Sequence, residues 1–270
     1  MPEAALVLQE ADKLRLGLFG HSKADGVGDK AILTQAYVYG YSFSNNGFNN
    51  LQNAIGRPLN KIETLGKHFF LIFNDATTVI HAHHGMKGHW SFGTMDEKLV
   101  NPSHVHFRLD FTLVDGSTRS VWYVNERFGK FEILNGYGYI NVKGKLKGGF
   151  IGDYQLTYET FLSNWNKLRG VTKLRAALMD QDRLCSGVGN YLLAEILYAL
   201  KYNPEVTLAR LKGHEKAVYD TCKLVIEEFY LKTRLKVVYG RNTSPLGNAV
   251  ETYKASGRTM WWVPVEQTYL

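Results

Sequence analysis

Two short stretches carry residues whose types and spacing suit chemistry. The first is Met1-Pro2-Glu3. Removal of Met1 leaves Pro2 with a free secondary amine, and an α-amino group has an ordinary pKa near ~8, so a fraction is unprotonated at neutral pH. Such an amine attacks a sugar C1′ or a carbonyl carbon and forms an iminium, the logic of lysine Schiff bases. Glu3 beside it offers a carboxylate for proton transfer. The second stretch runs from Leu178 to Tyr198, with Gly187-Val-Gly189-Asn190 at its centre. It reads as the end of one helix, a tight turn, and the start of another. Gly187 and Gly189 accept positive φ without a Cβ clash. Asn190 falls where an N-cap belongs, ahead of the apolar run Leu192, Leu193, Ile196, Leu197, Leu200. Bare backbone N–H groups at such a helix start make a phosphate site. The same spacing also suits a helical hairpin packed in a core, with glycines allowing close approach, just as Pro2-Glu3 also suits an ordinary N-terminus.

Stepping outward, Leu6, Val7, Ala11 and Leu14 have helical spacing, which predicts a helix over residues 3–17. From about residue 28 to 145 the pattern turns β-rich. The runs are Ala36–Phe43, His68–Phe73, Thr78–His83, His104–Leu113, Ser120–Val124 and Phe131–Leu134, separated by Asn, Gly and Asp turns. That is the signature of an antiparallel β-sandwich. Lys143–Gly149 reads as a solvated loop or the start of a linker. Helices are expected over Tyr158–Leu168, Thr172–Met179, Asn190–Leu200 and about Lys212 to Leu231, and residues 236–270 return to β-like alternation. The fold class is α+β. The expected domains are 1–150 (catalytic helix and sandwich), 151–235 (helical) and 236–270 (a terminal finger).

The 270 residues suffice for two domains with real cores. Lys+Arg of 32 against Asp+Glu of 25 gives +7, a balance that favours a polyanionic partner. Cys185 and Cys222 give no disulfide framework and point to a reducing compartment. No apolar run approaches the roughly 18 residues of a membrane span. The first twenty residues carry Glu3, Glu10, Asp12, Lys13 and Arg15, unlike a secretory signal.

The pieces together resemble the formamidopyrimidine-DNA glycosylase and endonuclease VIII family of base-excision repair. Pro2-Glu3 opens the chain. Thr64-Leu-Gly-Lys67-His-Phe-Phe-Leu-Ile-Phe73 is similar to the strand bearing the family's lysine, and His83-His-Gly-Met86-Lys-Gly88 to its His-Leu-Gly-Met-x-Gly turn. Arg127-Phe128-Gly129 resembles the second wedge loop, Asp180 to Leu197 the helix–two-turn–helix, and Val238-Tyr239-Gly240-Arg241 the opening of the finger. The resemblance covers nearly the whole chain, and Gly189-Asn190-Tyr191-Leu192 is closest to endonuclease VIII-like members.

It implies a bifunctional glycosylase and abasic-site lyase. Pro2 is the nucleophile, Glu3 the proton carrier, and Lys67 the contact to the phosphate flanking the lesion. Gly187, Gly189 and Asn190 grip another phosphate, and Arg258, in Ser256-Gly-Arg258-Thr-Met-Trp-Trp262, is the finger arginine. Met86 and Phe128 fill the space left by the flipped base. The implied partner is damaged DNA, single- or double-stranded, bound by a monomer without a cofactor. The implied location is the nucleus or the site of replication, or the cytoplasm for a viral member.

Three departures stand out. Glu126 occupies the place of the usual wedge arginine, and an anion there tolerates phosphates poorly. Leu246, Ala249, Val263 and Glu266 stand where bacterial members have four zinc cysteines, so no metal is expected and the finger must hold by packing alone, with Trp261, Trp262 and Tyr253 as its core. This matches the zinc-less finger of some eukaryotic and viral members. Glu227 to Tyr239 leaves no room for the loop that closes over 8-oxoguanine, and the expected lesions are oxidised pyrimidines, hydantoins and abasic sites. Two other readings remain: a metal hydrolase built on His81, His83, His84 and His89, and a nucleic-acid-binding module without chemistry.

Overall fold

The computed structural model describes residues 3–22, 31–39, 51–85, 87–93, 104–126, 129–232 and 237–268. Two compact units emerge. The first comprises Val7–Gly144; the second comprises Glu3–Leu6 and Lys145–Leu270.

In the first unit, α1 (Ala4–Phe19) presents Val7, Ala11, Leu14 and Leu18 to the interior. These positions repeat every three or four residues, as an amphipathic helix requires. Two antiparallel sheets follow. β1 (Ala31–Val38), β6 (Val105–Leu113), β7 (Thr118–Asn125) and β5 (Gly88–Phe92) form one, in the order β1-β6-β7-β5. β2 (Leu59–Leu65), β3 (His68–Phe73), β4 (Thr78–His83) and β8 (Lys130–Leu134) form the other, in the order β2-β3-β4-β8. Leu33, Phe69, Leu71, Phe73, Phe107, Phe111 and Tyr123 from both sheets share one core with α1.

Several expectations shift. β1 begins at Ala31, five residues before the expected start, and residues 40–43 of that run lie outside the described ones. β2 and β5 carry no apolar run long enough to announce a strand. β2 contains Asn60, Lys61 and Glu63, and Glu63 is buried because the Tyr139 hydroxyl donates to it. The supposed loop at Lys143–Gly149 opens inside a helix: α2 spans Gly136–Lys145. Its three glycines hide it from propensity. Asn135 caps it by accepting from the Gly138 N–H (2.8 Å), and buried Tyr139 stacks edge-on against Phe70.

In the second unit, α3 (Tyr158–Asn166), α4 (Leu174–Met179), α5 (Asn190–Leu200) and α6 (Glu215–Lys232) precede a hairpin of β9 (Glu251–Ala255) and β10 (Arg258–Trp262). α3 is capped by the Thr157 hydroxyl, which accepts from the Thr160 N–H. The interior of α5 is buried on every side, from Tyr191 through Tyr198.

Candidate DNA-binding and active site

The glycine turn of the second unit is built around two side chains. Gln181 is the staple. Its Oε1 accepts from the Gly187 N–H (2.6 Å), and its Nε2 donates to the carbonyls of Val188 (3.1 Å) and Met179 (3.0 Å). The Ser186 hydroxyl returns a bond to the Gln181 carbonyl. Gly187 has φ +105°, a conformation that favours glycine.

The second side chain is Glu3. Its carboxylate, fully buried, accepts from the N–H groups of Gly189 (3.1 Å), Tyr191 (2.9 Å) and Leu192 (2.9 Å). The Ala4 N–H donates to the Gly187 carbonyl (3.2 Å). The expected bare helix N-terminus is therefore not bare: a carboxylate of this chain already occupies the anion site that the helix dipole and its orphan donors create.

Asn190 is likewise not the N-cap. Gly189, in extended conformation, holds that position with no capping side chain of its own, because Glu3 supplies the acceptor. Asn190 begins the helix and donates through Nδ2 to the Thr259 carbonyl of β10 (2.7 Å), while its buried Oδ1 has no hydrogen-bond partner. Local sequence gives no sign of a cap that arrives from 186 residues away.

Arg258 stands exposed at the start of β10, paired in register with Ala255. Ser256 (φ +50°) and Gly257 (φ +73°) turn the hairpin with positive φ at both central positions, as type I′ turns do. A cleft of about 280 Å³ opens beside it, lined by Arg175, Met179, Asp180, Ser256, Arg258 and Met260.

The finger is not held by packing alone. Val238 and Val263 do form an apolar cluster with Ala194 and Tyr198, flanked by Trp261 and Tyr239. Carboxylates do the rest. Glu195 accepts from the N–H groups of Val237 (3.0 Å), Val238 (3.2 Å) and Tyr239 (2.9 Å); burial nevertheless pushes its pKa up. Glu266 accepts from Tyr198, Lys201, Asn248 and Ser244. Burial works against that charge, but bonds from Ser244, Tyr198, Asn248 and Lys201 bring its pKa down to about 2. Tyr253 serves as a donor to Glu205 (2.6 Å) as much as a core residue.

In the first unit, Lys67 lies in the turn between β2 and β3 rather than on a strand, after Gly66 at φ +61°. It is 8% exposed, too buried for a simple surface lysine. His68, next to it, faces His81 (Nδ1···Nε2 2.8 Å), and His81 faces Glu132 (3.4 Å). Burial first, then His81, His83 and Lys67, push the His68 pKa down to about 2. His84 pairs with Glu10 of α1 (3.1 Å). The histidines thus meet glutamates that sequence spacing did not place among them. Among the described residues, no group of three or more His, Cys, Asp or Glu is arranged to hold a metal.

The strand ends that flank the positions of Met86 and Phe128 are neighbours. His83 pairs with Lys130 across β4 and β8, and Gly88 pairs with Asn125 across β5 and β7. Asn125 joins them: Nδ2 donates to the His84 carbonyl (3.3 Å) and Oδ1 accepts from the Gly129 N–H (3.2 Å). Lys87 bonds Glu126 at 2.5 Å. Pro2, Met86, Arg127 and Phe128 themselves lie outside the described residues.

Residues 1–131 match the family model described as the Formamidopyrimidine-DNA glycosylase N-terminal domain. Curated relatives extend the match. The formamidopyrimidine-DNA glycosylase of Listeria monocytogenes is 28% identical over 236 residues, covering 78% of this chain and 82% of the relative. That of Bdellovibrio bacteriovorus is 27% identical over 243 residues, with the same coverage. The chain is thus similar to formamidopyrimidine-DNA glycosylases over most of its length. Its fold is theirs as well. The Lactococcus lactis enzyme bound to DNA containing an abasic site superposes with a TM-score of 0.74 at 22% identity, over 97% of this chain and 99% of that one. The same enzyme with DNA containing an oxidised pyrimidine gives 0.77 at 19% identity, over 99% and 100%. Among the described residues, no helix is long and apolar enough to cross a membrane.

Proposed function

We propose that the chain is a DNA glycosylase of base-excision repair that also cleaves the abasic strand, acting on oxidised pyrimidines, hydantoins and abasic sites. The observation that carries this reading is Glu3 seated on the N-terminus of α5 by three backbone N–H groups. It fixes the residue after Pro2 at the glycine hairpin, the element whose counterpart in the relatives belongs to DNA-bound enzymes.

The Pro2 nitrogen attacks C1′ of the damaged nucleoside. The bond from C1′ to the base breaks, and the base leaves with a proton relayed by Glu3. Opening of the sugar ring gives an iminium between Pro2 and C1′, which acidifies the C2′ proton. Its loss expels the 3′ phosphate, and a second elimination expels the 5′ phosphate. Lys67, Asn190 and Arg258 hold the phosphates around the flipped nucleotide; Arg258 suits this through its rigid bidentate fork.

Two observations support the lesion preference. Only residues 233–236 separate the end of α6 from Val237, whose N–H is already bonded to Glu195. A segment that short makes no lid for 8-oxoguanine. At the wedge, Glu126 is neutralised by Lys87, and this pair fills the place of an arginine without offering its donors to an orphaned base. Bases already unpaired cost least to extrude, so single strands are tolerated.

Borohydride trapping on abasic DNA tests the chemistry. A Pro2-dependent cross-link is expected; DNA binding without any cross-link overturns it in favour of a binding module. Single-turnover excision of a hydantoin and of 8-oxoguanine, each in duplex and single strand, tests the preference. Robust excision of 8-oxoguanine from duplex overturns it.

A further inference from the structure

α5 is 11 residues long, about 16 Å from end to end. The finger is tied to both ends of it. At the N-terminal end, Asn190 donates to the carbonyl of Thr259, the residue of β10 next to Arg258. At the C-terminal end, the Tyr198 hydroxyl (2.7 Å) and the Lys201 ammonium (3.0 Å) donate to Oε2 of Glu266. Lys201 also sits 3.6 Å over the Tyr198 ring, so the two donors are held together. The other carboxylate oxygen, Oε1, accepts from the Ser244 hydroxyl and from Asn248 Nδ2 (3.0 Å). Ser244 in turn accepts from the N–H groups of Leu246 and Asn248, which shapes that loop. One carboxylate therefore joins three separate segments: the end of α5, the loop before β9, and the turn after β10.

We propose that Glu266 is the positioning residue of the finger, the second point of a two-point brace that fixes the angle of β10 along α5 and, through it, the place of Arg258. The Asn190–Thr259 and Tyr253–Glu205 bonds hold the two strands of the hairpin, and the Val238 and Val263 cluster backs them. Glu266 adds a charge-assisted tie that secures the loop before β9 and the turn after β10 to the end of α5. Charge-assisted bonds suit the task, because they are the stronger kind and are set by geometry. The proposal rests on the reading of Arg258 as a phosphate contact.

Glu266→Gln keeps the size of the side chain and removes the charge that gathers the donors. Its affinity for duplex DNA containing a tetrahydrofuran abasic analogue is expected to fall about tenfold, the equivalent of one charge-assisted bond. In the Arg258→Ala background the same substitution is expected to cost less than about twofold, since a misplaced side chain that is absent loses nothing. Equal losses in the two backgrounds overturn the proposal, and so does an unchanged affinity. Tyr198→Phe, which removes one donor and no charge, serves where Glu266→Gln fails to fold, and the same comparison applies. Amide hydrogen exchange over residues 251–262 gives a readout independent of DNA. Faster exchange there in Glu266→Gln, with α5 unchanged, supports the brace, and unchanged exchange overturns it. If Arg258→Ala alone leaves affinity intact, the phosphate reading fails while the exchange result still decides the brace.

Discussion

Replacing Glu3 by Gln separates the capping that this residue provides from the proton transfer proposed for it. The carboxylate presents only acceptors, and three N–H groups use them: Gly189 and Leu192 at one oxygen, Tyr191 at the other. A glutamine amide has one oxygen and one NH₂. With its oxygen on the Gly189 and Leu192 side, the Tyr191 N–H faces a donor; turned over, two N–H groups do. Leaving one buried N–H without an acceptor costs about 1–3 kcal/mol. Loss of the negative charge at a helix N-terminus adds about 0.5–2 kcal/mol in a buried setting. The total is about 3 kcal/mol, which for a chain of this size lowers Tm by about 6–12 °C. Loss of proton transfer separately reduces excision by about 10²–10⁴-fold. Thermal unfolding by circular dichroism measures the first effect, and single-turnover excision well below Tm measures the second. Because the cap also shapes the Gly187–Gly189 turn, DNA affinity falls modestly as well. A Glu3→Gln Tm within about 2 °C of the parent would refute the capping argument. Full excision by a folded Glu3→Gln protein would refute the proton-transfer role and leave Glu3 as structure alone.

Four further outcomes follow from the geometry. His68, held near pKa 2 when folded against 6.5 ordinarily, takes up its proton only on unfolding, so stability falls as pH drops below about 6.5; NMR titration should show no His68 inflection between pH 8 and 4, and an inflection near 6.5 contradicts the burial argument. Glu205 is opposed by burial but held down to about 2 by Arg175, Lys173 and Tyr253, so its contribution is present above about pH 4.5 and fades toward 2. Glu205→Gln should flatten the urea midpoint across that window, and an unchanged slope counts against the network. Glu126→Arg breaks the pair with Lys87 and places a bidentate donor at the wedge; the ratio of duplex to single-strand excision should rise, and a constant ratio shows that this position does not govern the preference. Gly88→Ala puts a Cβ 2.6 Å from the His84 carbonyl oxygen and 2.7 Å from Asn125 Nδ2, which should destabilise by about 1–3 kcal/mol, and an unchanged Tm would mean these strand ends are not packed as described.

Much of this molecule is legible locally. α1 and α5 show because apolar residues recur at helical spacing and α5 follows a glycine turn. β3 shows as an apolar and aromatic run of strand length, and β6 as an alternation of apolar and polar residues. What escapes is structure decided by a distant partner. β2 is a strand despite its charges because Glu63 has Tyr139 to meet it, and α2 is a helix despite its glycines because Tyr139 has Glu63. Neither half of that bargain is visible from its own segment. Glu126 likewise looks like a bare anion in sequence, and only the pairing of Gly88 with Asn125 brings Lys87 alongside it.

The same logic explains why α5 was easy to find and its role hard to see. Its interior positions are buried throughout, so the sequence reads as a mainly apolar helix, with Glu195 the one acid in its middle. Yet three carboxylates organise the second unit around it. Glu3 takes the donors at its N-terminus, Glu195 reaches from its middle to the N–H groups of residues 237–239, and Glu266 gathers the donors at its C-terminus. Two of these acids come from the far ends of the chain. Most of the side chains that α5 buries are apolar, and hydrophobic contact is non-directional, so by itself it does little to set how neighbours align along the helix. Directional bonds at the start, middle and end supply that alignment. Each acid therefore ties a different part of the unit to the helix: Glu3 the glycine turn, Glu195 the segment at residues 237–239, and Glu266 the loop and turn that flank the hairpin.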